Sequence, residues 1–215
     1  FMQIKEYLNK RQIISITGLR RTGKTILMYQ TINFLLRNNT NKDNILYFSF
    51  DEKSADIKIV IDAYITLKKK NLREERFYFF FDEIQKVEDW QNKIKKYYDL
   101  YPKIKFIISG SESLFLRKNS KETLAGRLYE FVLKPLSFKE FVTFRKENQD
   151  LTVREKEDLF AEYLTKGGFP ELSIEEDASA RDAYVKSLVL DKIIFMDLSK
   201  LTKIKDREAL LNILE

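Results

Sequence analysis

The sequence predicts an α/β protein in which a parallel sheet with helices on both faces is followed by a region built only of helices. Short apolar runs alternate with longer amphipathic stretches through the first two-thirds of the 215 residues. The run 77–81 is apolar at every position, which is typical of a strand covered on both faces. After Pro135 only helical patterns follow, so we divide the chain into a core, 1–134, and a helical region, 135–215.

Five strands and three helices are predicted in the core from the spacing of apolar residues. The predicted strands are 13–16, 45–50, 77–81, 104–108 and 128–133. The predicted helices are 24–37, 56–70 and one marked by Val87, Trp90, Ile94, Tyr97 and Tyr98. The first helix is expected to bury Met28, Ile32, Leu35 and Leu36. This alternation is typical of a parallel sheet, because parallel neighbours need a crossover between them.

The helical region begins with two N-terminal capping patterns. Ser137 with Glu140, and Thr152 with Glu155, each have the spacing of a capping box. The first of these helices is expected to face inward through Phe138, Phe141, Val142 and Phe144. The segment 167–170, Gly-Gly-Phe-Pro, predicts a sharp break. Further helices are predicted over 178–199 and from near Asp206 onward.

Composition removes several kinds of chemistry. The chain has no cysteine and no histidine, which excludes disulfides, zinc–thiolate sites, cysteine nucleophiles, Ser-His-Asp catalysis and imidazole metal sites. Its 39 basic and 33 acidic residues give a net charge of +6, which mildly favours an anionic partner such as a nucleotide, nucleic acid or membrane surface; a mixed solvated surface is the alternative that we favour over a nucleic-acid groove. No run approaches the ~20 apolar residues of a membrane span, and no signal peptide is visible. We therefore expect a cytoplasmic protein with no membrane partner.

Residues 18–25, GLRRTGKT, fit the phosphate-loop pattern G-x-x-x-x-G-K-[ST] in full. The pattern follows a predicted strand and opens a predicted helix, where backbone N–H groups point at phosphate oxygens. Lys24 is expected to reach the β- and γ-phosphates, and Thr25 to place its hydroxyl on Mg²⁺. The residues expected to contact the nucleotide here are Gly18, Leu19, Arg20, Arg21, Thr22, Gly23, Lys24, Thr25 and Ile26. For Arg20 and Arg21 a solvent-facing role is the alternative.

Two carboxylates follow the most apolar predicted strand. Asp82 stands at the strand end and suits the metal shell, and Glu83, one residue on, suits the orientation of an attacking water. An adjacent Asp-Glu pair is common by itself, but five apolar residues in front of it favour the catalytic interpretation. The glutamate also favours hydrolysis of ATP over phosphorylation of a small molecule.

Two further candidates lie later in the core. Ser109, or as a second choice Ser111, ends the fourth predicted strand, where a polar side chain can sense a γ-phosphate; an ordinary capping serine is the alternative. Arg127 comes just before the fifth predicted strand. It is a candidate arginine finger, acting in cis or from a neighbouring subunit, and a surface ion pair is the alternative.

The base of the nucleotide is expected to be adenine. Residues 41–44, Asn-Lys-Asp-Asn, come close to the guanine-reading pattern N-K-x-D, but the aspartate stands one place early. We therefore expect ATP and ADP, with Mg²⁺, as the ligands.

Five segments in order resemble archaeal ATPases of the AAA+/STAND superfamily. They are GLRRTGKT, FYFFFDEIQ, IISGSES, LAGRLYEFVLKPLSFKEF and GGFPE. The resemblance covers nearly the whole chain and implies a P-loop NTPase core with sheet order 5-1-4-3-2 and a C-terminal helical lid. It makes Lys24 and Thr25 the Walker A pair and Asp82 and Glu83 the Walker B pair. It also implies that Gly168 and Pro170 belong to a lid element whose proline packs near the base.

The resemblance further implies that a winged-helix domain follows Glu215 in such proteins, and that DNA or a protein partner is bound there; a homo-oligomer is possible. The leading interpretation is an ATPase that drives a conformational or assembly switch. Two alternatives stay open: a regulatory or DNA-associated switch with negligible turnover, and a small-molecule kinase. A kinase lid would need several convergent arginines, whereas 137–170 is richer in Phe and Glu.

Overall fold

The computed structural model describes residues 1–52, 55–111, 123–145 and 151–186. The chain divides into two compact units. The first comprises Phe1–Gly18 and Gly23–Leu133, and the second comprises Leu19–Thr22 and Lys134–Glu215.

The first unit is built on a parallel sheet of five strands. In chain order they are β1 Ile13–Thr17, β2 Ile45–Ser49, β3 Phe77–Asp82, β4 Ile104–Gly110 and β5 Leu128–Val132. Their spatial order is β2-β3-β4-β1-β5, and every neighbouring pair is parallel. This confirms the predicted fold class, including the sheet order 5-1-4-3-2 read from the opposite edge.

Four helices surround this sheet among the described residues of the first unit. They are α1 Met2–Tyr7, α2 Lys24–Arg37, α3 Ile57–Lys68 and α4 Trp90–Leu100. Two single 3₁₀ turns, Lys42–Asn44 and Ile84–Lys86, precede β2 and follow β3. The sequence did not predict α1, because six residues are too few to establish a helical period.

The core lies on both faces of the sheet, as the apolar run 77–81 predicted. Phe77, Phe79 and Phe81 pack on one side with residues of α3 and α4, and Phe80 packs on the other with residues of α1 and α2. All six residues of β3 are buried. Alternation along the strand therefore sends successive rings to opposite helical layers.

The buried stripe of α2 differs from the predicted one. Met28, Thr31 and Leu35 are buried, whereas Leu36 is 43% exposed. The buried stripe thus includes Thr31 in place of Leu36. Thr31 can be buried because its hydroxyl donates to the Leu27 carbonyl at 2.8 Å.

The second unit contains four short helices in its described part. They are α5 Phe138–Arg145, α6 Val153–Lys166, α7 Pro170–Ile174 and α8 Ala178–Tyr184. Both predicted capping patterns form: Glu140 accepts from the Ser137 amide at 2.8 Å, and Thr152 with Glu155 makes a complete capping box. The end of the helix predicted over 178–199, and the one predicted from Asp206, lie outside the described residues.

An aromatic cluster and an ion-pair network join α5 to α6 and α7. The Phe141 ring packs edge-on to Tyr163 at 5.3 Å, and Arg145 pairs with Glu162 at 2.8 Å. The prediction that Phe144 faces inward is wrong, since its side chain is 51% exposed. In a helix of eight residues, Phe141 already occupies the buried stripe and Phe144 lies beyond its edge.

Candidate nucleotide-binding site

The carboxyl edge of the sheet brings the predicted site residues together. The phosphate loop follows β1, the acidic pair follows β3, and Ser109 lies at the end of β4. Because β3, β4 and β1 are consecutive neighbours, three segments distant in sequence meet at one edge. Open parallel sheets characteristically bind ligands at this edge.

The phosphate loop has the backbone conformation that its glycines permit. Gly18 and Gly23 have φ of 146° and 94°, and a residue with a side chain would be strained at these values. Gly23 caps α2 without a side-chain hydrogen bond, so this helix N-terminus offers backbone donors to an anion. Lys24 is buried, and its Nζ donates to the Gly18 carbonyl at 3.2 Å.

The middle of the loop belongs to the second unit. The Thr22 hydroxyl donates to the Leu19 carbonyl at 2.9 Å, closing the turn on itself. Arg21, with φ of 60°, forms an ion pair with Glu171, and its guanidinium lies 5.1 Å from the ring centre of Tyr184. Ile26, near the start of α2, has an exposed side chain.

Asp82 is the centre of the site. It is 3% exposed, and its Oδ2 accepts from the Thr25 hydroxyl at 2.6 Å and from the Tyr47 hydroxyl at 3.1 Å. Its Oδ1 accepts from the Ser109 hydroxyl and from the Glu83 amide. The two residues predicted to hold a metal, Thr25 and Asp82, are therefore in direct contact.

This donor set fits Mg²⁺. Hydroxyl and carboxylate oxygens are hard ligands, and Mg²⁺ typically takes one or two protein ligands together with water and phosphate oxygens. Within the described ranges, no group of three His, Cys, Asp or Glu side chains could form a self-contained metal cage.

Tyr47 is a site residue that the sequence patterns did not indicate. It lies on β2, whose Ser49 pairs with Asp82 of β3, so Tyr47 and Asp82 share one face of the sheet. Burial, together with hydrogen bonding to Tyr29 and the charge of Asp82, raises the pKa of Tyr47 above its usual range. The phenol therefore stays a neutral donor. Only the strand order could have indicated it.

Glu83 has an unusual backbone conformation for a residue with a side chain. Its φ and ψ are 52° and 44°, in the left-handed region. Its amide donates to the Ser109 hydroxyl at 3.2 Å, and its carboxylate accepts from the Gln85 side-chain amide. Strained residues of this kind cluster at functional sites. Gln85 is a second residue that no sequence pattern singled out.

Of the two sensor candidates, Ser109 is the one in contact with the acidic pair. It is completely buried and bridges Asp82 and Glu83 through its hydroxyl. Ser111, two residues on, is also buried. A role for either as a γ-phosphate sensor stays a prediction.

Arg127 lies at the opposite edge of the sheet from its own phosphate loop. It precedes β5, and its carbonyl accepts from the amide of Ile13 at the start of β1. Since β1 has five residues, the two edges are roughly 16 Å apart at about 3.3 Å per residue. This separation does not favour a role in cis, and the cis role stays a prediction. Its Nε lies 3.3 Å from Oδ1 of Asp99, and a role towards a neighbouring subunit stays a prediction.

Residues 41–44 also lie at the amino edge, before β2. Asn41 caps the 3₁₀ turn by accepting from the Asp43 amide at 2.9 Å, and Asn44 donates to Glu75 at 2.8 Å. The side chains of Asn41, Asp43 and Asn44 are used in the local turn and its neighbours. This arrangement is consistent with a structural turn.

Gly168 and Pro170 belong to the second unit. The Gly168 carbonyl accepts from the Leu136 amide at 2.7 Å, and Pro170 is the first residue of α7. A Cβ on Gly168 would lie 2.5 Å from the Leu136 oxygen, so this approach requires glycine. Their predicted proximity to the nucleotide base stays a prediction.

The fold and the loop define the class: this is a P-loop ATPase of the AAA+ type. Among solved structures, the Aeropyrum pernix Orc1 protein in complex with DNA is similar, with a TM-score of 0.53 over 86% of this chain and 59% of that chain. The sequences are 12% identical, so this likeness concerns the fold alone.

The chain belongs to the AAA_14 family, described as an AAA domain, which it matches over residues 10–142. An uncharacterized protein of Haemophilus influenzae is 31% identical over 216 residues, covering 99% of this chain and 52% of that protein. Uncharacterized protein MJ1544 of Methanocaldococcus jannaschii is 32% identical over 226 residues, covering 99% and 48%. The chain thus spans about half the length of these curated relatives. No helix in the described part is long and apolar enough to cross a membrane.

Proposed function

We propose that the chain binds Mg-ATP at the carboxyl edge of its sheet and hydrolyses it to ADP and phosphate. The observation that carries this proposal is the 2.6 Å hydrogen bond between Thr25 and Asp82. It joins the last residue of the phosphate loop to the first carboxylate of the acidic pair. This juxtaposition of Walker A and Walker B residues supports the proposed metal site.

Binding of the phosphates is assigned to the loop backbone and to Lys24. The N-terminus of α2, where Gly23 makes no side-chain capping bond, supplies amide donors and a partial positive charge. The Lys24 ammonium, which donates to the Gly18 carbonyl, is assigned as the side-chain donor for the β- and γ-phosphates. A contact between the ammonium and a phosphate oxygen pairs two charged groups and is stronger than the bond to a neutral carbonyl, so we expect Lys24 to exchange the carbonyl for the phosphate.

Thr25 and Asp82 are the residues that would hold Mg²⁺. When bound there, the ion would neutralise charge on the β- and γ-phosphates. Tyr47 and Ser109 fix the orientation of the Asp82 carboxylate by donating to its two oxygens. The carboxylate is therefore preorganised by neutral donors.

Glu83 is assigned to orient the attacking water. Its backbone is held by Asp82 and Ser109, which ties the second carboxylate to the first. The Gln85 amide holds the Glu83 side chain. For Glu83 to act as the water-orienting base, this hydrogen bond must be replaced or shared.

The Gln85 contact also favours a second candidate function. A protein that keeps its Glu83 carboxylate on Gln85 with nucleotide bound would hold ATP as a state marker with negligible turnover. In either case we propose that the output is a change of conformation or assembly.

The substitution Glu83→Gln separates the two functions. If Glu83 orients water, this change keeps ATP affinity within about threefold of the wild type and lowers turnover by about 10² or more. Affinity is measured by titration calorimetry and turnover by phosphate release. Glu88→Gln removes an exposed carboxylate five residues further on and serves as the matched control.

Equal phosphate release by Glu83→Gln and Glu88→Gln would contradict the catalytic role of Glu83. A wild type that binds Mg-ATP but releases no phosphate above background, also in the full-length protein, would establish the state-marker function instead.

A further inference from the structure

The amino edge of the sheet holds a basic cavity of about 420 Å³. It lies at the opposite end of the strands from the phosphate loop. The basic cavity is lined by Asn9, Lys10, Arg11, Arg76, Pro102, Lys103, Ile104 and Lys105. Five of these eight side chains are basic and none is a carboxylate.

The topology explains why these basic residues converge. Lys10 and Arg11 lie in the turn that enters β1, Arg76 directly precedes β3, and Lys103 and Lys105 flank the start of β4. Since β3, β4 and β1 are neighbours and parallel, their entering segments meet at one edge. Three separate stretches of sequence therefore supply the walls.

Lys105 is the buried basic residue of the basic cavity. It is 1% exposed, and its Nζ donates to the carbonyls of Tyr7 at 2.8 Å, Lys10 at 2.9 Å and Gln12. These bonds fix the segment between α1 and β1. The wall that carries Lys10 and Arg11 is thus tied to the sheet.

The other four basic residues are also anchored by neutral groups. Arg76 donates to the Leu8 carbonyl at 2.7 Å, Lys103 to the Glu74 carbonyl at 2.6 Å, and Arg11 to the Tyr98 carbonyl at 3.1 Å. The Lys10 ammonium lies 4.2 Å from the ring centre of Tyr7. Carbonyls and rings orient these side chains but leave their full charges uncompensated.

Several cations elsewhere in the described part of the chain are paired with carboxylates. Lys70 lies 2.9 Å from Glu75, and Lys93 lies 2.6 Å from Asp56. Among residues 1–52, 55–111, 123–145 and 151–186, no carboxylate forms an ion pair with any of the five basic residues of the cavity. Like charges gathered without counter-charge raise the local potential and attract an anion.

We propose that the basic cavity is a second anion site, which binds a small ligand carrying a di- or triphosphate group. Its volume lies in the range of small-molecule sites, roughly 300–1,000 Å³. The clustered cations match the charge of a polyphosphate better than that of a single phosphate. A concave pocket also suits a small ligand better than the convex backbone of a duplex.

The test uses tripolyphosphate as the probe and the variant Lys24→Ala as the background, because this change weakens binding at the phosphate loop. Titration calorimetry without Mg²⁺ is expected to show one bound tripolyphosphate. Adding Lys10→Gln and Lys103→Gln, two exposed positions, is expected to lower its affinity by about tenfold or more. The matched control adds Lys42→Gln and Lys96→Gln, exposed lysines outside the cavity, and keeps the affinity.

Parallel titrations identify the source of the phosphates. Tighter binding of Mg-free ATP than of tripolyphosphate indicates a nucleotide, and equal binding indicates free polyphosphate. With Lys24 intact, the same titrations are expected to show two bound tripolyphosphates per chain, and one after the changes Lys10→Gln and Lys103→Gln. This keeps the test valid if Lys24→Ala does not fold. If the ATPase proposal fails, the site that is missing in these titrations is the one at the phosphate loop, and the site sensitive to Lys10 and Lys103 remains.

Three results would overturn the proposal. The first is a Lys24→Ala protein that binds no tripolyphosphate while its thermal unfolding shows it to be folded. The second is an equal loss of affinity in the Lys42 and Lys96 control, which would indicate general surface charge. The third is a variant with Lys10→Gln and Lys103→Gln that loses affinity for a single-stranded oligonucleotide but not for tripolyphosphate, which would make this edge a nucleic-acid surface.

Discussion

At the scale of single residues, Asp82 shows how a buried charge is accommodated in this fold. Two hydroxyls donate to Oδ2, from Thr25 and Tyr47, and a hydroxyl and an amide donate to Oδ1, from Ser109 and Glu83. A buried carboxylate without such donors would be costly. The site is therefore a connected network, in which loss of one partner affects the orientation of the others.

Lys105 presents the opposite case, a buried cation among carbonyls. Burial, with the charges of Arg76 and Lys10 adding to it, lowers the pKa of Lys105 from its ordinary 10.5 to about 7. The native protein therefore releases this proton near pH 7, whereas the unfolded chain keeps it up to about pH 10.5. Between these values the unfolded state binds more protons, so stability rises with pH.

We expect the free energy of unfolding of the wild type, measured relative to Lys105→Met, to rise from pH 7 to pH 10. Below pH 7 the difference is expected to be constant, because both states carry the proton. Urea denaturation in phosphate-free buffers from pH 6 to pH 10 measures it. Lys103→Met, at an exposed neighbour, is the control. A difference that does not change with pH would contradict the lowered pKa.

At the scale of elements, the strand ends carry the chemistry and the helices cover the sheet. The predicted strands end one or two residues early in β1, β3 and β4, and one residue late in β2 and β5. The missed residues are Thr17, Asp82, Ser109 and Gly110. They are polar or small, so a prediction from apolar runs ends each strand before them. They remain in the ladder because neighbouring strands pair with them, as Ser49 pairs with Asp82.

The turn into α7 depends on one glycine. A Cβ at Gly168 would lie 2.5 Å from the Leu136 backbone oxygen, which cannot move aside as a flexible side chain could. We expect Gly168→Ala to lower the stability of the second unit by about 2 kcal/mol or more, the order of other steric insertions.

Gly167→Ala is the matched control for Gly168→Ala. Gly167 has φ of 75°, and a Cβ added there would meet no heavy atom within 4 Å beyond its chain neighbours. Its ψ is −174°, so Gly167 lies in a backbone region that is essentially restricted to glycine, and this change tests backbone strain alone, about 1–3 kcal/mol. Thermal unfolding of both variants gives the comparison. A loss of stability below about 1 kcal/mol for Gly168→Ala would contradict the steric argument.

At the scale of the whole molecule, the position of Arg127 bears on assembly. At the amino edge it lies roughly 16 Å from its own phosphate loop, at about 3.3 Å per residue of β1, which makes a role towards the nucleotide of a neighbouring subunit the one to test. An arginine supplied in this way is worth roughly 10³–10⁵ in rate in GTPases.

If Arg127 acts in trans, turnover per subunit rises with protein concentration. Arg127→Ala is then expected to abolish the rise while leaving ATP affinity unchanged, and mixing it with Lys24→Ala restores part of the activity. Phosphate release over a range of concentrations measures this. Asp99→Asn removes the ion-pair partner but keeps the guanidinium, so it is the control.

Normal turnover in Arg127→Ala would show that the residue is only the partner of Asp99. Equal defects in Arg127→Ala and Asp99→Asn would lead to the same conclusion, because both changes break the ion pair.

The sequence by itself determined the class of fold and the phosphate loop. Both are encoded in contiguous residues: 18–25 forms one loop between a strand and a helix, and each strand is a single apolar run. The acidic pair was also predictable, since it directly follows the most apolar run. A local pattern is sufficient for features of this kind, because buried positions recur about every 3.6 residues in a helix and every two residues in a strand.

Only the tertiary structure decided which residues from different strands meet. Tyr47 reaches Asp82 because β2 lies beside β3, and Arg127 lies at the opposite edge from its own phosphate loop because β5 runs parallel to β1. The basic cavity exists because β3, β4 and β1 are neighbours. The physical reason is that strand order and direction set these contacts, and residues tens of positions apart carry no local signal of their pairing.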